Sequence, residues 1–359
     1  MLSKRWEHGS EFHAQFVRTL ETYKNPWDFS CRFFGSGRDA FRALLLHGKI
    51  SQGWRRLWIP SYFCPELIDA LASTGLRIEA YTQSPENPIL FAPHRPIQSG
   101  DVLLQVNLFG LHSKPYGEAI KRDGIFVIED HTHDPWSGWA NDSSADWCVA
   151  SLRKTLPLPE GAVVWSPKCH DLPQEYPIQS AHEAAALQKF AAALIKLLYL
   201  KGYPIEKTVF RNLAILGESH ISGAEISGMS EWARNLMTFP IASWRRMRKR
   251  NHRILSEKLM GLPWLRVVNS QRGKNICPFS VILLFDSQKR RDLMRRELIS
   301  LNIYPSVLWL LEHSVKYKFP KDNIDFSRRM LSLHCDMRYK KHDMERVANT
   351  IIRIGESLA

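Results

Sequence analysis

The feature that most constrains this chain is an alternation. Through its first half, short apolar runs of strand length alternate with stretches of helical spacing. RLWIP (56–60), RIEAY (77–81), DVLLQVN (101–107), IFVIE (125–129), DWCVAS (146–151) and GAVVW (161–165) have strand length and composition. Between them GRDAFRALLLHG (37–48), PELIDALASTG (65–75) and PYGEAIKRDG (115–124) have helical periodicity, with Pro near the start or Gly at the end. Strands separated by helices must cross over to pair in parallel, which predicts an α/β fold with a mostly parallel central sheet and helices on both faces. The spacing turns long-helical over 182–200 and 231–260. PFSVILLF (278–285), a helix over 288–301, IYPSVLW (303–309) and a closing helix over 342–357 then predict a smaller α+β unit. The expected division is a large unit, 1–240, opened by an amphipathic N-terminal helical segment, and a small C-terminal unit, 241–359.

With 359 residues, 44% hydrophobic and 24% charged, the chain has the composition of a soluble globular protein. Its opening residues lack the apolar core of a signal peptide, and FAAALIKLLYL (190–200), interrupted by Lys196, is too short to span a bilayer, so a cytoplasmic protein without a membrane partner is expected. The six cysteines stand singly, without a CxxC pair, and read as reduced thiols. The net charge of +13 suits either a nucleic-acid surface or a field that draws in small anions. The densest basic run, WRRMRKRNHR (244–253), reads as a helix with Met247, Leu255 and Leu259 inward and a solvated basic face. No recognised nucleic-acid motif accompanies it, and no nucleic-acid partner is expected. The twelve tryptophans read as core and interface anchors.

Three segments carry chemistry. In FFGSGRDAFRALL (33–45) a Gly-Ser-Gly turn opens into a helix, whose free amides and positive dipole end favour a phosphate; capping by Ser36 or Asp39 is the structural alternative. In GIFVIEDHTHDPW (124–136) an apolar strand ends in acids and histidines. Carboxylates at the carboxyl end of such a strand face the ligand crevice of an α/β sheet. The same cluster reads equally as a metal site of Asp130, His131 and His133, or as a loop with two exposed histidines. In ASLRKTLPLPEGAVVW (150–165) Lys154 follows another strand end, with Ser151 three residues before it. A partly desolvated lysine there has a lowered pKa and is nucleophilic toward aldehydes. Together the segments offer a phosphate cradle, a strand-end acid and an amine, the set that pyridoxal 5′-phosphate (PLP) requires.

On these residues the chain resembles the fold-type-I PLP enzymes of the DegT/DnrJ/EryC1/StrS group, the sugar aminotransferase-like family. GSGRDAFRALL resembles its Ser-Gly-Thr-x-Ala-Leu segment and LWIPSYFCPELIDALASTG its Val-Pro-Ser-Tyr strand and helix. LLQVNLFGLHSKP resembles the strand ending in a His-Leu-Tyr-Gly-like turn, FVIEDHTHD its Val-Ile-Glu-Asp-x-x-Gln/His, SLRKTLPLPEGAVV its lysine segment, and LSLHCDMRYKKHDMERVANTI its C-terminal ending. The resemblance runs from about 30 to 355.

It implies that Lys154 is the Schiff-base lysine, that Asp130 pairs with the pyridine nitrogen and that His133 lies near the phenolic oxygen. Gly37, Arg38 and Asp39 would offer phosphate-binding amides, Ser151 a hydroxyl, and Phe63 or Cys64 would stack on the ring. Asn107, His112 and Arg338 are candidates for the substrate, Arg338 for a carboxylate or phosphate. No metal is called for. A homodimer is implied, acting on a small amino donor and an anionic keto acceptor.

Two departures stand out. The family's Ser-Phe-His-Pro-Thr-Lys run is here VASLRK, and GMSEWAR (228–234) stands where relatives carry Gly-Tyr-Asn-Tyr-Arg, which reaches the neighbouring subunit's site. Retention of Lys154 disfavours the lysine-lacking dehydratase branch. The expected function is a PLP-dependent aminotransferase that moves an amino group, from glutamate, to a keto group on a nucleotide-sugar or related glycan or secondary-metabolite precursor. The alternatives are other PLP chemistry, such as elimination or transamination of a non-sugar ketone, and a non-catalytic basic binding protein with a degenerate PLP fold.

Overall fold

The computed structural model describes residues 4–16, 27, 29–113, 124–221, 223–268, 275–313 and 317–358. In chain order the elements of the larger unit, after a two-residue strand β1 (His8–Gly9), are β2 (Cys31–Phe34), α1 (Gly37–Ser51), β3 (Arg56–Pro60), α2 (Pro65–Ala72), β4 (Arg77–Ser84), β5 (Asn87–Pro93), β6 (Asp101–Val106), β7 (Phe126–Asp130), α3 (Gly138–Asn141), β8 (Trp147–Ser151) and β9 (Ala162–Trp165). Next come α4 (Ser180–Leu200), α5 (Lys207–His220) and α6 (Glu231–Asn235). The remainder is α7 (Ile241–Leu259), β10 (Leu265–Val268), β11 (Ser280–Phe285), α8 (Gln288–Ser300), β12 (Ile303–Tyr304), α9 (Lys321–Arg329), β13 (Met330–His334) and α10 (Lys341–Ser357).

The central sheet has eight strands in the order β2-β9-β8-β7-β6-β3-β4-β5. From β8 to β4 every pairing is parallel, whereas β9 and the edge strand β5 run antiparallel to their neighbours. The α/β architecture expected from the alternation is therefore the one observed. Strands covered by helices on both faces are near-continuous apolar runs; β6 and β8 are buried along their whole length, whereas β4, beside the edge strand, is largely half-exposed. Register aligns the strand ends, with Val106 opposite Asp130, Asp130 opposite Val149, and Ser151 opposite Ala162. Three carboxyl-terminal strand ends thus open on one edge of the sheet, where α1 begins.

A second core lies under the antiparallel sheet β10-β11-β13, packed by α7, α8 and α10. Residues 4–16 contain no helix, contrary to the amphipathic N-terminal helix expected from sequence. Gly9 at φ +86° and Ser10 at φ 58° break helical geometry there, and β1 instead adds in parallel to β12. The N-terminal segment is thereby fastened to the C-terminal unit: Trp6 Nε1 donates to Asp343 at 2.8 Å, and the Arg346 guanidinium lies over the Trp6 ring.

Other departures have local causes. The helix expected over 231–260 is two, α6 and α7, divided before Pro240, which has no amide to donate and disfavours helical geometry in the residue before it. The strand expected over 303–309 pairs only at Ile303–Tyr304, because Pro305 cannot continue the ladder, and resumes as a single bridge between Ser306 and Ser332. The helix expected over 115–124 lies outside the described residues. In α7 the basic face is not simply solvated. Arg248 is buried and donates to the Thr155 carbonyl at 3.1 Å, Arg245 pairs with Asp134 at 2.7 Å, and Met247 is only half-buried.

Candidate active site

A cavity of about 830 Å³ opens at the aligned strand ends. Of the residues singled out in sequence, Gly37, Arg38, Phe63, Cys64, Asp130, His133, Ser151 and Lys154 all line it. Segments far apart in the chain meet here because β7 and β8 are neighbours and α1 packs over the ends of β8 and β9.

Asp130 ends β7 and is 5% exposed. Its Oδ1 accepts the Thr132 amide at 2.8 Å. Burial pushes its carboxyl up from the usual range, while the Thr132 hydrogen bonds pull it down. No ion pair reaches Asp130 among the described residues, so the carboxylate, once charged, calls for a cation on the cavity side. Thr132, which the sequence reading did not single out, also accepts the Ser151 amide at 3.0 Å and so ties the end of β7 to that of β8. A threonine two residues after a strand-end aspartate, in position to form a turn with it, was the available signal.

His133 is buried. Its Nδ1 accepts the Phe109 amide at 3.0 Å, which assigns the ring proton to Nε2. Burial, aided by the Lys154 charge, lowers its pKa to about 3 and keeps the ring neutral. His131 is fully buried as well, so neither histidine lies on an exposed loop. Strand alternation sends Glu129 away from the cavity, where its Oε2 meets His131 Nε2 at 2.9 Å and accepts from Ser143 at 2.6 Å. Asp130, His131 and His133 do not bring three ligand atoms together. The one such group among the described residues is Glu129, His131 and Cys148.

Lys154 closes a 3-10 turn, Leu152–Lys154, directly after β8. Its side chain is exposed to solvent within the cavity. Its pKa falls to about 8, first through the neighbouring Arg153 charge and then through burial. Arg153, also missed in sequence, forms a two-point pair with Glu218 at 2.9 and 2.7 Å, and Lys189 joins the same carboxylate. A cation directly before the lysine was the readable sign that the amine would be depressed.

A lysine whose folded pKa lies below its unfolded value costs stability wherever it is charged. That penalty is full below about pH 8 and disappears above the unfolded value near 10.5. Lys154→Met is therefore expected to stabilise the cofactor-free protein at pH 7 by about 1 kcal/mol after discounting for solvent in the cavity, and so to raise its melting temperature. The gain should vanish at pH 10.5, and melting curves at the two pH values check it.

Phe63 and Cys64 both reach the cavity. Phe63 is buried at the wall, whereas Cys64 caps α2 and donates to Glu66 at 2.9 Å. Burial and Glu66 push the Cys64 thiol up to about 12, which leaves it protonated.

Four expected residues stay out of the cavity. Asp39 turns inward. Its amide donates to Ser36 Oγ at 3.2 Å and its carboxylate accepts from the Ser36 hydroxyl at 2.7 Å, so the capping alternative describes it. Asn107 braces the strand ends, donating its amide to the Asp130 carbonyl at 2.9 Å and accepting the His112 amide at 3.3 Å. Neither Asn107 nor His112 lines the cavity. Arg338 forks onto Asp336 at 2.8 Å from both Nε and Nη2 and donates to the carbonyls of Ser10 and Glu11 at 3.2 and 3.0 Å. Its guanidinium stands 4.4 Å from the Phe12 ring centroid. With every face engaged it clasps the N-terminal segment, whose residues Glu11, Phe12 and Phe16 form part of the cavity wall.

No protein-family model matches the chain, and no curated protein matches it in sequence. Its structure does have counterparts. The S. venezuelae protein DesV, solved with a ketimine intermediate, shares 16% identity at a TM-score of 0.59, over 91% of this chain and 85% of that one. The putative sugar aminotransferase Spr1654 from Streptococcus pneumoniae, in its PLP form, shares 11% at 0.63, over 98% and 100%. Helicobacter pylori PseC, an aminotransferase of pseudoaminic acid biosynthesis, shares 12% at 0.60, over 92% and 87%. The fold is thus that of the fold-type-I PLP aminotransferases. More particularly, it is the fold of sugar aminotransferases of the DegT/DnrJ/EryC1/StrS type, which is where the sequence resemblance pointed.

Proposed function

We propose that this protein is a PLP-dependent aminotransferase that moves an amino group from L-glutamate to the keto group of a nucleotide-linked sugar or a related glycan precursor. The observation that carries the reading is convergence: within this fold, Lys154, Asp130, His133, Ser151 and the start of α1 face one cavity.

The residues fit the cofactor. A buried carboxylate without a counter-ion suits a protonated pyridine nitrogen, and a neutral imidazole with its proton on Nε2 suits a phenolate oxygen. At Gly37 a Cβ would lie 3.1 Å from the Ser151 Cβ, so glycine keeps open the space between the helix start and the strand end. Bound there, PLP supplies the electron sink that makes a substrate Cα–H acidic. Lys154 Nζ, near neutrality in its pKa, takes that proton and returns it. Asp130 holds the positive charge opposite, and His133 Nε2 donates without itself ionising. Phe12, Phe190 and Phe239 give the same cavity an aromatic wall.

That wall also favours a second reading within the same chemistry, a keto acceptor with an apolar face in place of a nucleotide sugar. We further take the protein to act as a cytoplasmic homodimer; no helix of the described residues is long and apolar enough to cross a membrane.

The test is the absorption spectrum after incubation with PLP, for wild type and Lys154→Ala, before and after L-glutamate. The expected result is a Lys154-dependent band near the visible edge that glutamate converts to a pyridoxamine-like spectrum. A band indifferent to glutamate turns the reading to other PLP chemistry, and no band removes the cofactor from it.

A further inference from the structure

Four lysine and arginine side chains line the cavity: Arg38, Arg153, Lys154 and Lys189. Glu218 holds Arg153 and Lys189, and Lys154 is the reacting amine of the proposed function. Arg38 makes no hydrogen bond or ion pair with any described residue. Its field reaches Asp39, but that carboxylate is already held by the Ser36 hydroxyl at 2.7 Å and faces Arg42 at 3.8 Å. A free guanidinium beside a cavity is costly to hold still, since its fork of donors finds no acceptor in the protein.

Arg38 is the second residue of α1, a helix of 15 residues, and the Gly37 and Arg38 amides are among the donors a helix leaves without acceptors. The facing strand end brings an independent sign. Ser151 is only 7% exposed, yet its hydroxyl has no partner among the described residues, and it lies 3.4 Å from where a Cβ on Gly37 would stand. Two orphan amides, a positive helix end, an unpaired hydroxyl on a largely buried residue and a free guanidinium meet in one corner. Sequence adds a reason for the arginine. Where the resembled family has Ser-Gly-Thr this chain has Ser36-Gly37-Arg38, and its lysine segment lacks the family's leading serine. A fixed charge stands where relatives offer a hydroxyl.

We propose that the Arg38 side chain is the phosphate clamp of this site, gripping the 5′-phosphate of the cofactor across from Ser151 and the α1 amides. This rests on the PLP reading above and adds that the grip is ionic. A guanidinium fork matches phosphate oxygens two at a time, and a charged donor strengthens each contact. Cofactor affinity should accordingly fall with salt, and it should discriminate sharply between PLP and pyridoxal, which lacks the phosphate.

The experiment titrates the full-length protein with PLP and, separately, with pyridoxal, following the Lys154-dependent band for wild type, Arg38→Ala, Arg38→Lys and Arg38→Thr at low and high salt. The expected result is a loss of PLP affinity of about tenfold or more in Arg38→Ala, with pyridoxal affinity unchanged, so that the preference for the phosphorylated form collapses. Arg38→Lys should recover part of the affinity, and Arg38→Thr should bind PLP with less salt dependence than wild type. Unchanged pyridoxal binding shows that each variant is folded. An Arg38→Ala protein that keeps the wild-type preference for PLP overturns the clamp while leaving the cofactor reading intact. If in that protein a nucleoside diphosphate instead loses its ability to compete with the acceptor, the guanidinium serves the acceptor's phosphate and the clamp on the cofactor is likewise overturned. Failure of wild type to form the band with either aldehyde overturns the cofactor reading, and the clamp with it.

Discussion

Asp130→Asn should slow amino transfer by about 10²–10³-fold while leaving the cofactor bound, because it removes a fixed charge aimed at the position where charge develops and leaves Lys154 untouched. The two effects separate in one experiment. Incubation with PLP should still give the Lys154-dependent band, and the single-turnover rate on adding L-glutamate should fall. A second consequence has the opposite sign. In the cofactor-free protein the Asp130 carboxyl is pushed up by burial, so its ionised form costs stability above the folded pKa and nothing at pH values below both folded and unfolded pKa values. The asparagine variant should therefore melt higher than wild type at pH 7 without cofactor and lose that advantage once PLP is bound. A variant as fast as wild type would remove Asp130 from the chemistry.

This opposition between stability and activity explains why the site was legible in sequence. A carboxylate at the end of VIED and a lysine just beyond CVAS each break the pattern that buries their strands, and local rules fail where function has placed a costly group. The parallel core was legible for a related reason. Strands buried on both faces carry continuous apolar runs, and β3, β6, β7, β8 and β9 all read as such. Half-exposed or flanking elements did not: β2, β5, β10, β13, α5 and α9 escaped the reading, as did the loss of helix over residues 4–16. Thr132, Arg153 and Glu218 belong to a further class. Their importance arises from neighbours distant in the chain, Ser151 for Thr132 and α5 for Arg153, and a single sequence does not record such proximity. The same limit misplaced Asn107, His112 and Arg338, whose residue types suit a substrate but none of which lines the cavity, Arg338 being held by Asp336.

Arg338 gives the largest expected effect on stability. It and Asp336 are both buried, and their mutual attraction holds the Asp336 carboxyl well below its usual range. Removing one member of such a pair leaves an uncompensated buried charge, so Arg338→Met should cost about 3–5 kcal/mol, read from denaturant unfolding at pH 7. The carboxylate's contribution is present above its unfolded pKa and is lost only as pH falls through the depressed folded value. The cost should accordingly persist down to about pH 4, the unperturbed carboxylate range, and shrink below it. Arg338→Met with Asp336→Asn removes both charges and should cost markedly less than the single change. Arg338 also grips the carbonyls of Ser10 and Glu11 and stacks on Phe12, all of which border the cavity. The double variant, folded but without its clasp, should therefore raise the KM for the keto acceptor while the glutamate half-reaction proceeds as before. If Arg338 bound the donor's carboxylate instead, the glutamate half-reaction would be the one to fail, and that contrast distinguishes a clasp on the cavity wall from the substrate contact its residue type suggested.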